Sequence, residues 1–481
     1  KVYQVIHQKE FYIDGRWISP SMAHDYEVIN PSTEEVCATI SLGGRDDTNL
    51  AVAAAREAFS LWSHSTPAER VELAESILAK YLERADEMAE AISLEMGAPI
   101  DMAKAQQVAA GARHIKSFIR TAKNFEFVSE LGAHAPGDRI IREAVGVCGL
   151  ITPWNWPMNQ VTLKVMPALL AGCTMVLKPS EVAPLSSLLF AEILHEAGVP
   201  AGVFNLVNGD GAGVGTQLSG HPDVDLISFT GSTRAGREIL RTAAETLKRV
   251  HLELGGKGTN LIFADADEEA VKRGVLHCFN NTGQSCNAPT RMFVERGIYE
   301  QAVETAREVA EATQTAPANE AGRHIGPVVS KVQFDKIQTL IEKGIDEGAR
   351  LVAGGPGRPD NANRGYFVRP TVFADVSNDM TIAREEIFGP VLSIIPFDDE
   401  QQAVALANDT PYGLTNYVQS QSDERRQRLA RELRSGMVEM NGQPRGAGAP
   451  FGGMKASGNG REGGIWGLEE FLEVKSVSGW S

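Results

Sequence analysis

Val145-Gly146-Val147-Cys148-Gly149-Leu150-Ile151 is a short apolar run without helical period. A helical pattern from Met158 to Ala171 follows it, then a second run, Thr174-Met175-Val176-Leu177-Lys178. The unit repeats. A helix from Leu185 to Ala197 leads to Val203-Phe204-Asn205-Leu206-Val207, and Leu226-Ile227-Ser228-Phe229 leads to a helix from Thr233 to Thr246. Short apolar strands alternating with helices predict a parallel sheet covered on both faces. Such sheets take ligands outside the carboxyl ends of their strands.

A second α/β region starts near Gly255 and runs to about Gly452. Its landmarks are Asn260-Leu261-Ile262-Phe263, Arg291-Met292-Phe293-Val294, a helix from Val332 to Gly344, and Val391-Leu392-Ser393-Ile394-Ile395-Pro396. At the start of the chain, Phe11-Tyr12-Ile13-Asp14-Gly15-Arg16-Trp17 reads as a hairpin turning at Asp-Gly. Helical period holds from Asp46 to Gly97. Leu50, Ala54 and Phe59 mark one apolar face, and Pro67 opens the next helix, which carries Val71, Leu73, Ile77, Leu78 and Leu82. Another helix is expected from Ala103 to Lys123. The segments Arg139 to Val145 and Phe471 to Val477 alternate like strands outside the main sheets. Exposed edges are usually covered, so pairing across subunits is expected.

The 481 residues are 43% hydrophobic and 22% charged, ordinary for a soluble protein and enough chain for about three domains. A net charge of −16 argues against nucleic acid or an anionic membrane as partner, since both select basic patches. No apolar run approaches the ~20 residues of a membrane span, and the start lacks a signal-peptide pattern. Five cysteines, an odd number without framework spacing, point to a reducing compartment, with the cytoplasm as the expected location. The histidines are scattered and neither HExxH nor paired CxxC occurs, so no metal site is expected.

Asn281-Thr282-Gly283-Gln284-Ser285-Cys286-Asn287 sets one cysteine in a small polar loop, and Leu252-Glu253-Leu254-Gly255-Gly256-Lys257 ends an apolar run on a glutamate. A thiol needs a base to become a nucleophile, and a carboxylate between leucines is a candidate for a raised pKa. Either residue alone reads as readily as a structural one. Phe229-Thr230-Gly231-Ser232 lies between a strand and a helix, where free N–H groups let Gly231 and Ser232 take a pyrophosphate. Ser232 or Thr233 also reads as a simple N-cap. The glycines from Gly209 to Gly215 lack the complete spacing of a dinucleotide fingerprint.

Together with Pro153-Trp154-Asn155-Trp156-Pro157 and Glu385-Glu386-Ile387-Phe388-Gly389-Pro390, these motifs resemble the aldehyde dehydrogenase superfamily over nearly the whole chain. The resemblance implies two doubly wound parallel-sheet domains of α/β class. These are a Rossmann-like dinucleotide-binding domain at 1–123 and 144–254, and a catalytic domain at 255–455. Small oligomerisation or bridging strands at 124–143 and 467–481 would serve a homodimer or homotetramer. It implies oxidation of an aldehyde to the acid, in which Cys286 attacks the carbonyl and the resulting thioester is hydrolysed with Glu253 as base. Asn155 and the Cys286 N–H would hold the oxyanion. Lys164 and Glu462 match residues that support the amide and relay protons, and read equally well as a structural ion pair.

The implied cofactor is NAD, with NADP as the alternative. Its contacts would come from Ile151, Thr152, Pro153, Trp154, Lys178, Ser180, Glu181, Gly211, Phe229, Gly231, Ser232, Leu254, Gly255, Glu386 and Phe388. The Glu181 carboxylate would accept the ribose hydroxyls and repel a 2′-phosphate. Trp156, Asn159, Gln160, Leu163, Ser285, Asn287 and Arg445 would surround the aldehyde. Arg445 is then either a clamp for a distal carboxylate, as on a semialdehyde or other oxo acid, or a rim residue beside a neutral aliphatic or aromatic aldehyde. Glu253 counts against a CoA-acylating enzyme. A catalytically silent binding protein need not keep Cys286, Asn155, Glu253 and Glu386 together. Cys37, Cys148, Cys173 and Cys278 read as inert core.

Overall fold

The apolar runs of the first half hydrogen-bond to one another in register, and the helices between them cover both faces. The computed structural model describes residues 4–481. The first sheet has the strand order Arg249–Glu253, Leu226–Thr230, Val147–Ile151, Thr174–Lys178, Phe204–Leu206, Phe11–Ile13, Arg16–Ile18. Its first five strands are parallel. The last two are the amino-terminal hairpin, added antiparallel. That hairpin turns on Asp14 and Gly15 with φ of 54° and 74°, the left-handed pair a tight type I′ turn requires.

Register decides where the loops emerge. Ile151 lies beside Lys178, Phe229 beside Ile151, and Thr230 beside Glu253. Four strands therefore end at one edge, and the loops following Ile151, Lys178, Thr230 and Glu253 leave it together. The helix Pro157–Ala171 starts on a first-turn proline and is buried along nearly its whole length. It is apolar all round because it is packed on all sides.

The second sheet has the order Arg350–Ala353, Thr371–Ala374, Val391–Phe397, Arg291–Glu295, Thr259–Ile262, Thr415–Gln419, Met437–Met440. Only the first strand runs antiparallel to its neighbour. This sheet shows the site its opposite edge: residues 255–256, 281–287 and 386–388 all lie just ahead of strands, not after them.

One expectation changes. Leu50 does not face inward: the helix Arg45–Trp62 buries Thr48, Ala51, Val52, Ala55 and Trp62, while Leu50 is 49% exposed. The small residues win that face because the Thr174–Lys178 strand lies close against it, with Thr174 Oγ1 donating to Ala55 O at 2.7 Å. The alternating segments pair with each other within the chain, as a three-stranded antiparallel sheet of Leu472–Val477, Arg139–Ala144 and Val128–Glu130.

Candidate active site

Between the helix Ala270–Phe279 and the strand Arg291–Glu295, residues Asn281, Thr282 and Gly283 have φ of 54°, 59° and 76°. Three left-handed residues in a row are strained, most of all the β-branched Thr282, and persist only where the surroundings hold them. Asn281 Nδ2 donates to Asn155 O at 3.0 Å, and its Oδ1 accepts from Gln107 Nε2 at 3.2 Å. Thr282 Oγ1 donates to Gly326 O at 3.1 Å. Gln284 donates to Asn281 O at 3.0 Å and accepts from Val329 N at 2.9 Å. A Cβ on Gly283 would lie 2.0 Å from Gly389 O, so this turn touches the 385–390 loop directly. The outcome is Cys286, half-buried, on the wall of a cavity of about 690 Å³. Its backbone N–H has no protein partner among the described residues.

Asn155 is buried beside this loop. Its Nδ2 donates to Gln284 O at 3.1 Å, which leaves the second N–H of the amide free. Trp156 Nε1 donates to Ser285 Oγ at 2.8 Å and ties the two loops together. Of the two readings of Lys164, support of the Asn155 amide or membership of an ion pair, the side-chain contacts match the ion pair. Its Nζ donates to Ser228 Oγ at 2.9 Å and to Glu462 Oε2 at 3.1 Å. A fully buried ammonium needs an anion, and Glu462 is the one within reach.

Glu253 ends its strand with both carboxylate oxygens buried and without a protein partner. Its carboxyl is held well above the usual range, first by burial and next by the charge of Glu462, with Lys164 and Arg461 pulling the other way. It lines a small chamber with Ser228, His251 and Glu462, not the cavity that holds Cys286. Glu462 lines both, and its Oε1 has no protein partner. Burial, then the charges of Glu386 and Glu253, push the Cys286 thiol up.

The remaining loops lie together at the edge of the first sheet. Thr152 N donates to Lys178 O at 3.2 Å just past Ile151. Beyond Pro153, the Trp154 ring meets Phe388 edge to face at 5.5 Å. Lys178 Nζ donates to Pro179 O and Gly209 O at 2.9 and 2.7 Å and pairs with Glu181 at 3.6 Å. Ser180 Oγ accepts from Val182 N at 3.2 Å. Gly211 opens a single π-turn, whose start Asp210 caps. Beyond the buried Phe229, Gly231 N is committed to Glu253 O at 3.0 Å. Ser232 Oγ caps the helix Thr233–Ala243 through Ala235 N at 3.2 Å, and the Thr233 and Arg234 N–H groups have no protein partner. Leu254 N donates to Ser457 O at 3.0 Å, and Glu386 accepts from Gly256 N at 2.9 Å. A Cβ on Gly255 would lie 2.9 Å from Glu386 Oε1. Two carboxylates that can accept ribose hydroxyls, and a helix N-terminus that can accept a pyrophosphate, fit a dinucleotide chemically.

Trp156, Asn159, Gln160, Leu163, Ser285, Asn287 and Arg445 all line the Cys286 cavity. Arg445 pairs with Glu439 at 3.0 Å and lies over the Phe451 ring at 5.0 Å.

A family model described as the aldehyde dehydrogenase family matches residues 17–477. The chain belongs to the aldehyde dehydrogenase family. It is 51% identical over 474 residues to a 3-succinoylsemialdehyde-pyridine dehydrogenase from a Pseudomonas species, with 98% of each chain covered. An aldehyde dehydrogenase structure from Bartonella henselae is 61% identical with a TM-score of 0.97, covering 98% of this chain and 99% of that one. A mutant aldehyde dehydrogenase C from Pseudomonas syringae, solved with NAD+ and octanal, is 47% identical with a TM-score of 0.97, covering 100% and 98%. As an aldehyde dehydrogenase, the protein is an NAD-dependent enzyme that oxidises an aldehyde to the carboxylic acid.

Within this aldehyde dehydrogenase, Gln107 is a site residue that the motifs did not reveal. It donates to Asn155 O at 3.1 Å as well as to Asn281, and it lies in a π-helical segment, Ala103–Val108, of the predicted Ala103 to Lys123 helix. π-segments cluster at functional sites, and the consecutive glutamines Gln106-Gln107 were the available hint. Burial pushes Cys37 and Cys278 up to about 12, and Cys148 and Cys173 are fully buried. Among the described residues no cluster could hold a metal ion and no helix is long and apolar enough to cross a membrane.

Proposed function

We propose that Cys286 is the nucleophile, that its N–H and the free N–H of Asn155 hold the oxyanion, and that Glu253 is the base of hydrolysis. The strained turn 281–283 carries this reading. It holds Cys286 with an unspent N–H beside an amide that keeps one donor free. The raised thiol must lose a proton as it attacks, and the adjoining carboxylates are the acceptors. The alkoxide that forms meets donors already in place, so no reorganisation accompanies the charge. NAD, when bound, supplies the oxidant that takes the adduct on Cys286 to a thioester. Glu253 then draws a proton from the attacking water, and Glu462, which borders both compartments with Lys164 beside it, is the route by which that proton leaves. Residues 1–123 and 144–254 hold the dinucleotide, with Glu181 selecting NAD over NADP, and 255–455 carry the nucleophile. The strands at 124–143 and 467–481 serve a homo-oligomer. Five unpaired cysteines support a cytoplasmic setting.

The substrate in this reading is a semialdehyde. It is supported by the polar groups of the cavity wall, among them Asn159, His114, His277 and Arg445, and, for an aldehyde with a second carbonyl but no carboxylate, by similarity to a 3-succinoylsemialdehyde-pyridine dehydrogenase. A neutral alkanal is the second reading, favoured by Trp156, Leu163 and Phe451 in the same wall and by the relative solved with octanal. A kcat/KM screen over alkanals, aromatic aldehydes and ω-oxo acids tests both. Preference for long alkanals overturns the first.

A further inference from the structure

The helix Ala109–Lys123 turns Ala110, Arg113, His114 and Ser117 into the cavity, a spacing of three and four residues that makes one face. His114 is held by Asn159 Oδ1 at 2.7 Å. Burial pushes it down to about 4, Asn159 opposing and Arg113 and Arg445 adding to the effect, so it brings no charge at neutral pH. Ser117 Oγ is buried and has no partner. The charges lining this cavity are otherwise compensated. Arg273 holds Asp267 with two hydrogen bonds of 3.0 and 2.8 Å. Arg445 holds Glu439, and Lys164 holds Glu462. Arg113 makes no ion pair or hydrogen bond among the described residues. In a chain of net charge −16, the lining of this cavity carries one surplus positive charge, on the solvent-exposed Arg113.

We propose that Arg113, with Ser117 as a second donor, forms a subsite for the carboxylate at the far end of an ω-oxo acid. This rests on the reading that Cys286 attacks the aldehyde end in the same cavity. Arg445, committed to Glu439 and stacked on Phe451, is then wall and not clamp. The subsite is positioning, not catalytic. It adds one charge-assisted contact that an alkanal cannot make.

The test compares an ω-oxo acid series with alkanals of equal length. Arg113→Leu is expected to lower kcat/KM on the oxo acids by roughly 10-fold, through KM, and to spare the alkanals. Arg113→Lys should recover part of the loss, and Ser117→Ala should show a smaller loss of the same kind. Dicarboxylate binding to Cys286→Ala, followed by calorimetry, should weaken on adding Arg113→Leu. Equal effects of Arg113→Leu on both series, or unchanged dicarboxylate binding, overturn the subsite and leave Cys286 chemistry standing. Loss of the selective effect from Arg113→Leu and its appearance in Arg445→Leu would also overturn it. Absence of any aldehyde oxidation by the unaltered protein instead overturns the reading beneath it.

Discussion

The two seven-stranded sheets meet the site with opposite ends. The first offers the loops that follow Ile151, Lys178, Thr230 and Glu253, and none of residues 152–156, 179–183 or 231–232 has a positive φ, nor has 254–256, which joins the two sheets. The second offers loops that precede its strands, and there Asn281, Thr282, Gly283 and Phe388 are all left-handed. Carboxyl ends of parallel strands lead into helix N-termini, whose spare N–H groups suit an anionic cofactor without distortion. A nucleophile needs an unspent N–H and an exact place instead. The strained turn, locked by Asn155, Gln107 and Gly326, provides both. Strained backbone thus places Cys286, whereas Asn155 and Glu253 are placed by relaxed backbone at the edge of the first sheet.

The largest expected effect is on the strained side. Cys286→Ala should abolish NADH formation with every aldehyde while the NAD titration stays near normal, because the cofactor loops belong chiefly to the other sheet. Retained turnover would remove the nucleophile from this loop and end the comparison. Glu253→Gln should slow steady turnover by roughly 10²- to 10⁴-fold, the usual contribution of a positioned base, with an initial burst of NADH preserved. The raised carboxyl predicts a pH limb. Glu253 acts only when ionised, so kcat should rise with pH through its raised pKa and then level, and the limb should vanish in Glu253→Gln. The same shift has a sign for stability. The folded pKa exceeds the unfolded one, so this group's contribution is present below the unfolded pKa and is lost as pH rises through the folded value. The pH dependence of Tm should flatten correspondingly in Glu253→Gln.

Two glycines sharpen the contrast. Gly283→Ala puts a Cβ 2.0 Å from Gly389 O at a φ of 76°, and should cost about 1–3 kcal/mol with loss of activity. Gly211→Ala, where a Cβ meets nothing within 4 Å, should stay within about 0.5 kcal/mol by denaturant titration. Equal costs would mean that strain is not concentrated on the second sheet's loops. The smallest effect expected is on cofactor choice. Glu181→Gln removes a carboxylate that pairs with Lys178 at 3.6 Å, and should shift the NADP to NAD ratio of kcat/KM by about 10-fold toward NADP. An unaltered protein that prefers NADP would refute the role given to Glu181.

Much of the scaffold was legible because it depends on neighbours in the chain. The strand Thr174–Lys178 and the helix Leu185–Ala197 fall where the apolar period puts them, and Pro67 opens its helix behind a Thr66 and Glu69 capping box. Leu50 misled because amphipathic period ranks faces by hydrophobicity, whereas close packing on a strand selected Ala51 and Ala55. For Lys164 and Glu462 an ion pair was one of two open readings, and only packing across 298 residues of chain brings the two together. Gln107 was harder still to read, with only the adjacent Gln106 as a hint. A π-turn aims it, and its partners come from two distant loops.

By itself the sequence determined two α/β layers, the cysteine loop, the strand-end glutamate and the motif set of an aldehyde dehydrogenase, because period and motif are properties of adjacent residues. Only the tertiary structure decided that Cys286 and Glu253 occupy adjoining compartments bordered by Glu462. It alone decided that Arg445 is already paired while Arg113, on the helix Ala109–Lys123 in the same cavity wall, is not. Burial, charge pairing and strain arise from distances between residues far apart in the chain, and those distances exist only once the two sheets are packed.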